Sequence, residues 1–223
     1  MLIPENSVVH FGICNSLRSW NNFLLPDSVE KYSNTGGFGI DGGLSSLVGA
    51  SLMEPDRLCF GFFGDLLFYY DMNAIGNRDI KSNLRVLIIN NGLGQEFKNH
   101  SSFGVQFDED ADRFIAAKGH FCARTTPVIK NYAESLNFEY LSAANKDELK
   151  TAAERFMCNE MTDSPMLLEV FTETDDESKA LDIMISLTGK SKVSTGFAGL
   201  IRSPRLRGIR KIVKNYTLTN NTQ

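Results

Sequence analysis

The stretch RLCFGFFGDLLFYYDMNAIGNRDIKSNLRVLIINNGLGQEF, residues 57–97, holds two apolar runs separated by a segment of different periodicity. Residues 57–63 and 84–90 are almost continuously apolar, which predicts strands covered on both faces. Residues 66–79 between them have the spacing of a helix. A strand, a helix and a second strand in this order predict a βαβ unit with parallel strands.

The same alternation extends along most of the chain. Further strands are predicted at residues 7–14, 138–143 and 166–172, and further helices at residues 16–25, 40–53, 125–136 and 145–158. Residues 99–120 are less regular and predict a loop followed by a short helix. We therefore predict an α/β fold, a three-layer sandwich with a mainly parallel central sheet, over residues 1–187.

Composition narrows the class of protein. With 42% hydrophobic residues in 223, the chain can bury a substantial core. It has no run of about 18 apolar residues and no signal-peptide pattern, so we expect no integral membrane segment and a cytoplasmic location. The four cysteines lack CxxC spacing and the three histidines are far apart, which argues against a zinc site.

The charge is distributed unevenly. Residues 188–223 contain eight Lys and Arg and no Asp or Glu, whereas the rest of the chain is acidic. Such a segment fits a membrane-surface helix, a nucleic-acid arm, a lid over an anionic substrate or a solvated tail. Pro204 and several glycines argue against one continuous helix. We favour a basic C-terminal tail or lid, and expect no nucleic-acid partner.

Polar residues follow both strands of the opening stretch. Gly64-Asp65 follows the first strand and Asn90-Asn91 follows the second. The carboxyl ends of parallel strands meet at one edge of a sheet, where ligands bind in this class of fold. A carboxylate and an amide oxygen suit Mg²⁺, which commonly shares the phosphates of its substrate. Gly64 lets the backbone approach a phosphate closely, and a helix that begins at Leu66 directs its free N–H groups toward it.

Each of these residues also has a purely structural interpretation. Asp65 fits a helix N-cap, and Asn91-Gly92 fits a tight turn. Glu96, His100 and His120 could act as acids or bases near a ligand, or could be solvated loop residues. The aromatic residues Phe62, Phe63, Phe68, Tyr69 and Tyr70 fit core or subunit-interface packing.

The chain resembles the diphosphate-binding domain of thiamine diphosphate-dependent enzymes. A GD dipeptide followed by NN, with 25 residues between Asp65 and Asn91, is the cofactor motif of that family. IPENSVVHFGICNSL (3–17), YSNTGGFGIDGGLSSLVGAS (32–51) and NNGLGQEF (90–97) resemble segments of the menaquinone-pathway synthases within the family. The helix, strand, helix and strand of residues 128–172 resemble the usual end of such domains.

This resemblance implies roles for individual residues. Asp65, Asn91 and the carbonyl of Leu93 would bind Mg²⁺, while Gly64, Leu66 and the Asn15-Ser16 loop would hold the diphosphate. Gly94, in the glycine-glutamine turn beyond the metal site, would also belong to the cofactor-binding residues. Ile40 would support the bent cofactor, and the backbone of Phe38, Gly39 and Ile40 would contact its aminopyrimidine ring.

The resemblance also implies parts that this chain does not supply. The glutamate that activates the cofactor in this family belongs to a separate pyrimidine-binding domain or subunit, so we expect a homo- or hetero-oligomer that is inactive as this domain alone. The expected substrate is a small 2-oxoacid. Trp20 and Thr35 stand where the menaquinone-pathway synthases carry arginines, which favours a different 2-oxoacid. The alternative is a non-catalytic structural or regulatory subunit that retains the fold.

Overall fold

The computed structural model describes residues 3–35, 39–100, 102–119 and 127–187. Its centre is a sheet of six strands in the order β2-β1-β3-β4-β6-β5, and every adjacent pair is parallel. The strands are β1 (Val8–Phe11), β2 (Glu30–Ser33), β3 (Cys59–Gly64), β4 (Leu84–Asn90), β5 (Glu139–Ala143) and β6 (Met166–Phe171). The helices are α1 (Asn15–Trp20), α2 (Gly43–Met53), α3 (Asp65–Asp71), α4 (Asp108–Phe114), α5 (Val128–Ser135), α6 (Lys146–Phe156) and α7 (Thr174–Leu187).

Two apolar cores lie on opposite faces of this sheet. Side chains of α2, α3 and α5 pack on one face and those of α6 on the other. Strand β3 serves both cores, because Phe63 points into the first and Phe60 and Phe62 into the second. The predicted three-layer α/β sandwich is therefore confirmed.

The predicted element boundaries were less accurate. Strand β2 was missed because its sequence, EKYS, is polar and lies at the exposed edge of the sheet. The helix predicted over residues 66–79 begins at Asp65 and ends at Asp71, after which the chain forms a 3₁₀ helix from Met72 to Gly76. The short helix predicted within residues 99–120 is present as α4.

Gly61 in β3 lies against Leu47 of helix α2 and has no room for a side chain. A Cβ atom added at this position would lie 2.3 Å from a ring carbon of Phe63 and 2.5 Å from a methyl carbon of Leu47. Both of those side chains are fully buried. Glycine is therefore needed here for space rather than for backbone conformation.

Arg85 in β4 is a fully buried cation, 0% exposed. Its guanidinium donates to the carbonyl oxygens of Phe156 at 2.8 Å, Cys158 at 2.5 Å and Glu160 at 2.6 Å, just beyond the end of α6. Burial lowers the pKa of Arg85. The side chain closes the C-terminal end of α6, where free carbonyls favour a cation.

By its internal contacts the chain divides into two units, Met1–Asp182 and Ile183–Gln223. Of the second unit, the structure describes the last residues of α7, Ile183–Leu187. The basic tail or lid predicted for residues 188–223 lies outside the described residues, and the boundary at residue 187 stays a prediction. Among the described helices, none has both the length and the apolar character needed to span a bilayer.

Candidate functional site

The order of the strands creates a switch point between β1 and β3. The chain passes from β1 to β2 on one side and then returns to place β3 on the other side of β1. In parallel α/β sheets, the loops that leave the carboxyl ends of strands at such a point diverge and form a crevice. The segments that begin at Gly12 and at Gly64 leave β1 and β3 there, and Asn91 follows the adjacent β4.

Asp65 links the loops that follow β3 and β4. One carboxylate oxygen of Asp65 accepts a hydrogen bond from the backbone N–H of Gly92 at 2.9 Å, and the residue is only 1% exposed. The N-cap of α3 is Gly64, so the interpretation of Asp65 as a helix cap is wrong. The carboxylate instead crosses to the loop that contains Asn91.

Asn91 begins a tight turn and has both ends of its amide engaged. Its Oδ1 accepts from the backbone N–H of Leu93 at 3.2 Å, and its Nδ2 donates to Oε1 of Glu177 at 2.9 Å. Gly92 has a φ of 79°, which favours glycine. The turn interpretation is therefore correct, and the same turn carries the predicted metal ligand.

The Leu93 carbonyl, the third predicted ligand, accepts no hydrogen bond from any described residue, although Leu93 is buried. The neighbouring Gly94 donates its N–H to the carbonyl of Ala116 at 2.5 Å. A Cβ atom at Gly94 would lie 3.3 Å from both that carbonyl oxygen and a methyl carbon of Leu66. Gly94 thus lets the turn pack closely beneath Leu66.

Glu177 of α7 is a polar neighbour that the sequence did not single out. Its Oε1 accepts from Asn91 and from the hydroxyl of Thr172. Burial is the main cause that raises the pKa of Glu177, and the nearby Asp65 carboxylate raises it further. The only sequence signal is its place in the acidic run ETDDE (173–177), which is typical of the first turn of a helix.

Open space lies beside two glycines at this edge. A Cβ atom at Gly64 or Gly92 would meet no atom within 4 Å. No side chain caps the N-terminus of α3, which begins directly after Gly64. A helix that begins without a side-chain cap is the arrangement that binds anions through its first backbone N–H groups.

The loop after β1 is tied to the segment that follows the turn at residues 91–93. Asn15 and Asn99 exchange two hydrogen bonds between their side-chain amides, at 3.1 Å and 2.7 Å. Arg18 pairs with Glu96 at 2.5 Å. Ser16, which lies between Asn15 and Arg18 in the sequence, is half-buried. Both pairs join the first turns of α1 to residues 96–99.

The other candidate residues have varied environments. Gly39 is exposed, and Ile40 is half-buried against the core on the α2 side of the sheet. Phe38 and His120 lie outside the described residues. His100 forms an exposed pair with Asp182 at 2.7 Å, as expected of a solvated loop residue. In the aromatic stretch, Phe62, Phe63 and Phe68 are buried.

Asp71 joins the start of α2 to the end of α3. Its carboxylate accepts from the backbone N–H of Ser45 at 2.7 Å and from the Ser45 hydroxyl at 2.5 Å. Ser45 lies in the first turn of α2, which follows Ile40. The first turn of α2 is thereby joined to the end of α3.

The donor set fits Mg²⁺. One carboxylate, one amide oxygen and one backbone carbonyl are hard oxygen donors, and they leave further coordination positions for phosphate oxygens and water. The described residues contain no cluster of three or more His, Cys, Asp or Glu side chains that could hold a metal on their own. A cation at this edge would therefore depend on a phosphate ligand for part of its coordination.

Comparison with known proteins gives consistent relatives. The chain is 33% identical over 179 residues to 2-succinyl-5-enolpyruvyl-6-hydroxy-3-cyclohexene-1-carboxylate (SEPHCHC) synthase of Bacteroides fragilis, covering 80% of this chain and 31% of that protein. It is 34% identical over 179 residues to the synthase of Phocaeicola vulgatus, covering 80% and 30% of the two chains. It is also 34% identical over 170 residues to the synthase of Christiangramia forsetii, covering 76% and 28%. The chain is a homologue of the SEPHCHC synthases.

This homology confirms the resemblance inferred from the sequence motifs. The chain spans about a third of the length of the SEPHCHC synthases that it matches. No protein-family model matches the chain. The homology to SEPHCHC synthases thus concerns one segment of those proteins.

Proposed function

We propose that this chain is the diphosphate- and Mg²⁺-binding domain of a thiamine diphosphate-dependent 2-oxoacid decarboxylase or carboligase. The observation that carries the proposal is the hydrogen bond from Gly92 to Asp65, which joins the two halves of the GD and NN motif at the carboxyl ends of β3 and β4, next to the switch point of the sheet. The homology to SEPHCHC synthases supports the family. The hard-oxygen donor set supports the metal.

In this proposal the metal ligands are the Asp65 carboxylate, the Asn91 Oδ1 and the Leu93 carbonyl. The diphosphate binds beside Gly64 and Leu66, where the backbone is open and α3 begins without a side-chain cap. Asn15 and Ser16 close this part of the site from the β1 side. Together these groups neutralise and orient the diphosphate.

Gly39, Ile40 and the adjacent Phe38 form the other end of the site in the proposal. Ile40 supplies an apolar surface for the cofactor, held in place by its packing against the core. The bound cofactor supplies the carbanion chemistry by which a 2-oxoacid loses CO₂ or is joined to a second carbonyl compound. The protein supplies the shape and the charge.

We further propose that activity requires a pyrimidine-binding domain or subunit in an oligomer. One support is that the matched relatives are about three times as long as the segment of them that aligns with this chain. Another is a set of exposed apolar side chains around the metal loop and α4. They are Phe97, Phe103, Val105, Phe107, Phe114 and Ile115. Such a concentration of exposed apolar groups is typical of a surface that is covered by a partner.

We propose that the substrate is a 2-oxoacid other than that of the menaquinone-pathway synthases. Trp20, at a position where those synthases carry an arginine, packs its ring against Phe62 at a centroid distance of 4.4 Å and against Phe11 at 5.4 Å. It belongs to an apolar cluster and offers no anchor for a carboxylate. Arg18, the nearest cation in the sequence, is paired with Glu96.

Calorimetry with thiamine diphosphate and Mg²⁺ tests the proposed cofactor site. We expect wild-type protein to bind the cofactor only when Mg²⁺ is present, and Asp65→Ala to weaken this binding by at least about 100-fold, because the charged ligand is lost. Asp79→Ala is the matched control, since Asp79 is an exposed carboxylate whose pair with Arg78 is long, at 4.0 Å. Equal, Mg²⁺-dependent binding by wild type and Asp65→Ala would refute the metal assignment.

A second experiment separates an enzyme from a non-catalytic subunit. The chain is mixed with a pyrimidine-binding domain, and CO₂ release is measured over a panel of 2-oxoacids. Turnover that requires both components is expected. Cofactor binding without turnover of any 2-oxoacid would favour the structural or regulatory alternative.

A further inference from the structure

A row of polar contacts joins helix α7 to residues 91–98. Glu177 accepts from Asn91 at 2.9 Å. The Gln95 amide donates to the Ser178 hydroxyl at 2.9 Å and to the Thr174 carbonyl at 3.2 Å. The loop that carries two proposed metal ligands is therefore held against α7 by side chains of that helix.

The contacts of Asn91 fix the orientation of its amide without ambiguity. The Asn91 group that faces Glu177 is the NH₂, which donates to Oε1 at 2.9 Å. A backbone N–H can only donate, so the group that faces Leu93 must be the oxygen. The two neighbours specify the same orientation from opposite sides of the amide.

This orientation has a consequence for cation binding. An amide oxygen has two lone pairs, and the Leu93 N–H uses one, which leaves the other for a metal. In the flipped orientation the NH₂ group would replace the oxygen, and Asn91 would no longer be a ligand. Two hydrogen bonds hold the amide, and the one from the Leu93 N–H, at 3.2 Å, is longer than the one to Glu177, at 2.9 Å.

We propose that Glu177 is a positioning residue of the metal site, which holds the Oδ1 of Asn91 toward the cation by accepting from its NH₂. The inference rests on the proposed function, because it assumes that Asn91 is a ligand. Thr172 completes the arrangement by donating its hydroxyl to the same Glu177 oxygen. Groups that orient a metal ligand in this way typically contribute about 10- to 100-fold to metal affinity.

Glu177 could instead act by its negative charge alone, and two conservative substitutions separate these roles. Glu177→Gln removes the charge but keeps an acceptor oxygen at the same reach. Glu177→Asp keeps the charge but shortens the side chain by one methylene, which takes the carboxylate out of hydrogen-bond range of Asn91. Positioning predicts that the Gln variant is mild and the Asp variant is damaging, and a charge effect predicts the opposite.

The experiment measures Mn²⁺ binding to the full 223-residue chain in the presence of thiamine diphosphate, by electron paramagnetic resonance of free and bound Mn²⁺. We expect Glu177→Asp to raise the Kd for Mn²⁺ about tenfold or more, and Glu177→Gln to stay within about threefold of wild type. Asp175→Asn is the control, since it removes a charge from the exposed side of the same helical turn. Circular dichroism verifies that each variant is folded.

Asp65→Ala, measured in parallel, separates the two levels of the argument. If wild type binds Mn²⁺ tightly, Asp65→Ala does not, and Glu177→Asp matches wild type, then Glu177 has no positioning role although the metal site stands. If Glu177→Gln binds Mn²⁺ weakly and Glu177→Asp binds it as wild type does, Glu177 acts by its charge. That result also overturns the inference. If wild type binds no Mn²⁺, the proposed function and this inference fall together.

Discussion

Replacing Arg85 with methionine should lower the free energy of unfolding by about 2 kcal/mol. The guanidinium donates to three carbonyls, and each hydrogen bond from a charged group contributes roughly 1.5 to 3 kcal/mol. Removing a buried cation recovers part of this, because its desolvation had cost several kcal/mol. The carbonyls near Cys158 and Glu160 can regain water, since those residues are half-buried and exposed. The carbonyl of the fully buried Phe156 cannot, and its lost partner costs about 1 to 3 kcal/mol.

Urea unfolding followed by circular dichroism measures this difference directly. Arg155→Met is the matched control, because Arg155 lies on the surface and pairs with Glu139 at 2.6 Å in solvent. Surface ion pairs contribute about 0 to 1 kcal/mol, so this variant should be nearly as stable as wild type. An Arg85→Met protein as stable as Arg155→Met would show that the carbonyls beyond α6 do not depend on the guanidinium.

Two further predictions concern stability. Burial is the main cause that raises the pKa of Glu169, and its proton is therefore bound more tightly in the folded than in the unfolded chain. Its contribution to stability is favourable at acid pH and is lost as the pH rises through the raised pKa, so Glu169→Gln should gain stability relative to wild type as the pH rises above about 4; a difference in melting temperature that does not change with pH would contradict this. Gly61→Ala should cost about 1 to 3 kcal/mol, because the new methyl group would lie 2.3 Å from a Phe63 ring carbon, whereas Gly49→Ala in α2, where a Cβ meets nothing within 4 Å, should stabilise the protein by about 0.5 to 1 kcal/mol. Differential scanning calorimetry compares the two, and equal effects would disprove the packing argument.

The sequence was most informative where burial imposes a simple pattern. Strands β3 and β4 lie in the middle of the sheet and are covered on both faces, so their apolar runs matched the observed elements to within two residues. Strand β2 lies at the edge, where polar side chains cost nothing, and its pairing with β1 is a property of the backbone rather than of EKYS. The pattern of side chains therefore could not reveal it.

The residues of the candidate site also differ in how far the sequence could reveal them. Gly64, Asp65 and Asn91 were predicted to lie close together because they follow strands, and the order of parallel strands places those positions at one edge. Glu177 could not be selected from the acidic run ETDDE, since only the rotation of α7 decides which carboxylate faces Asn91. Asn99 and Asp71 are likewise identified only by the distances to Asn15 and Ser45.

The amide pair of Asn15 and Asn99 has a consequence for how a ligand would enter the site. Each side chain already satisfies the other, so a diphosphate that takes up Asn15 must exchange existing hydrogen bonds for new ones. Such an exchange adds little net binding energy, but it spares the empty domain from leaving polar groups unpaired. Under the proposed function, the affinity for the cofactor would therefore come mainly from the cation and the open backbone at Gly64.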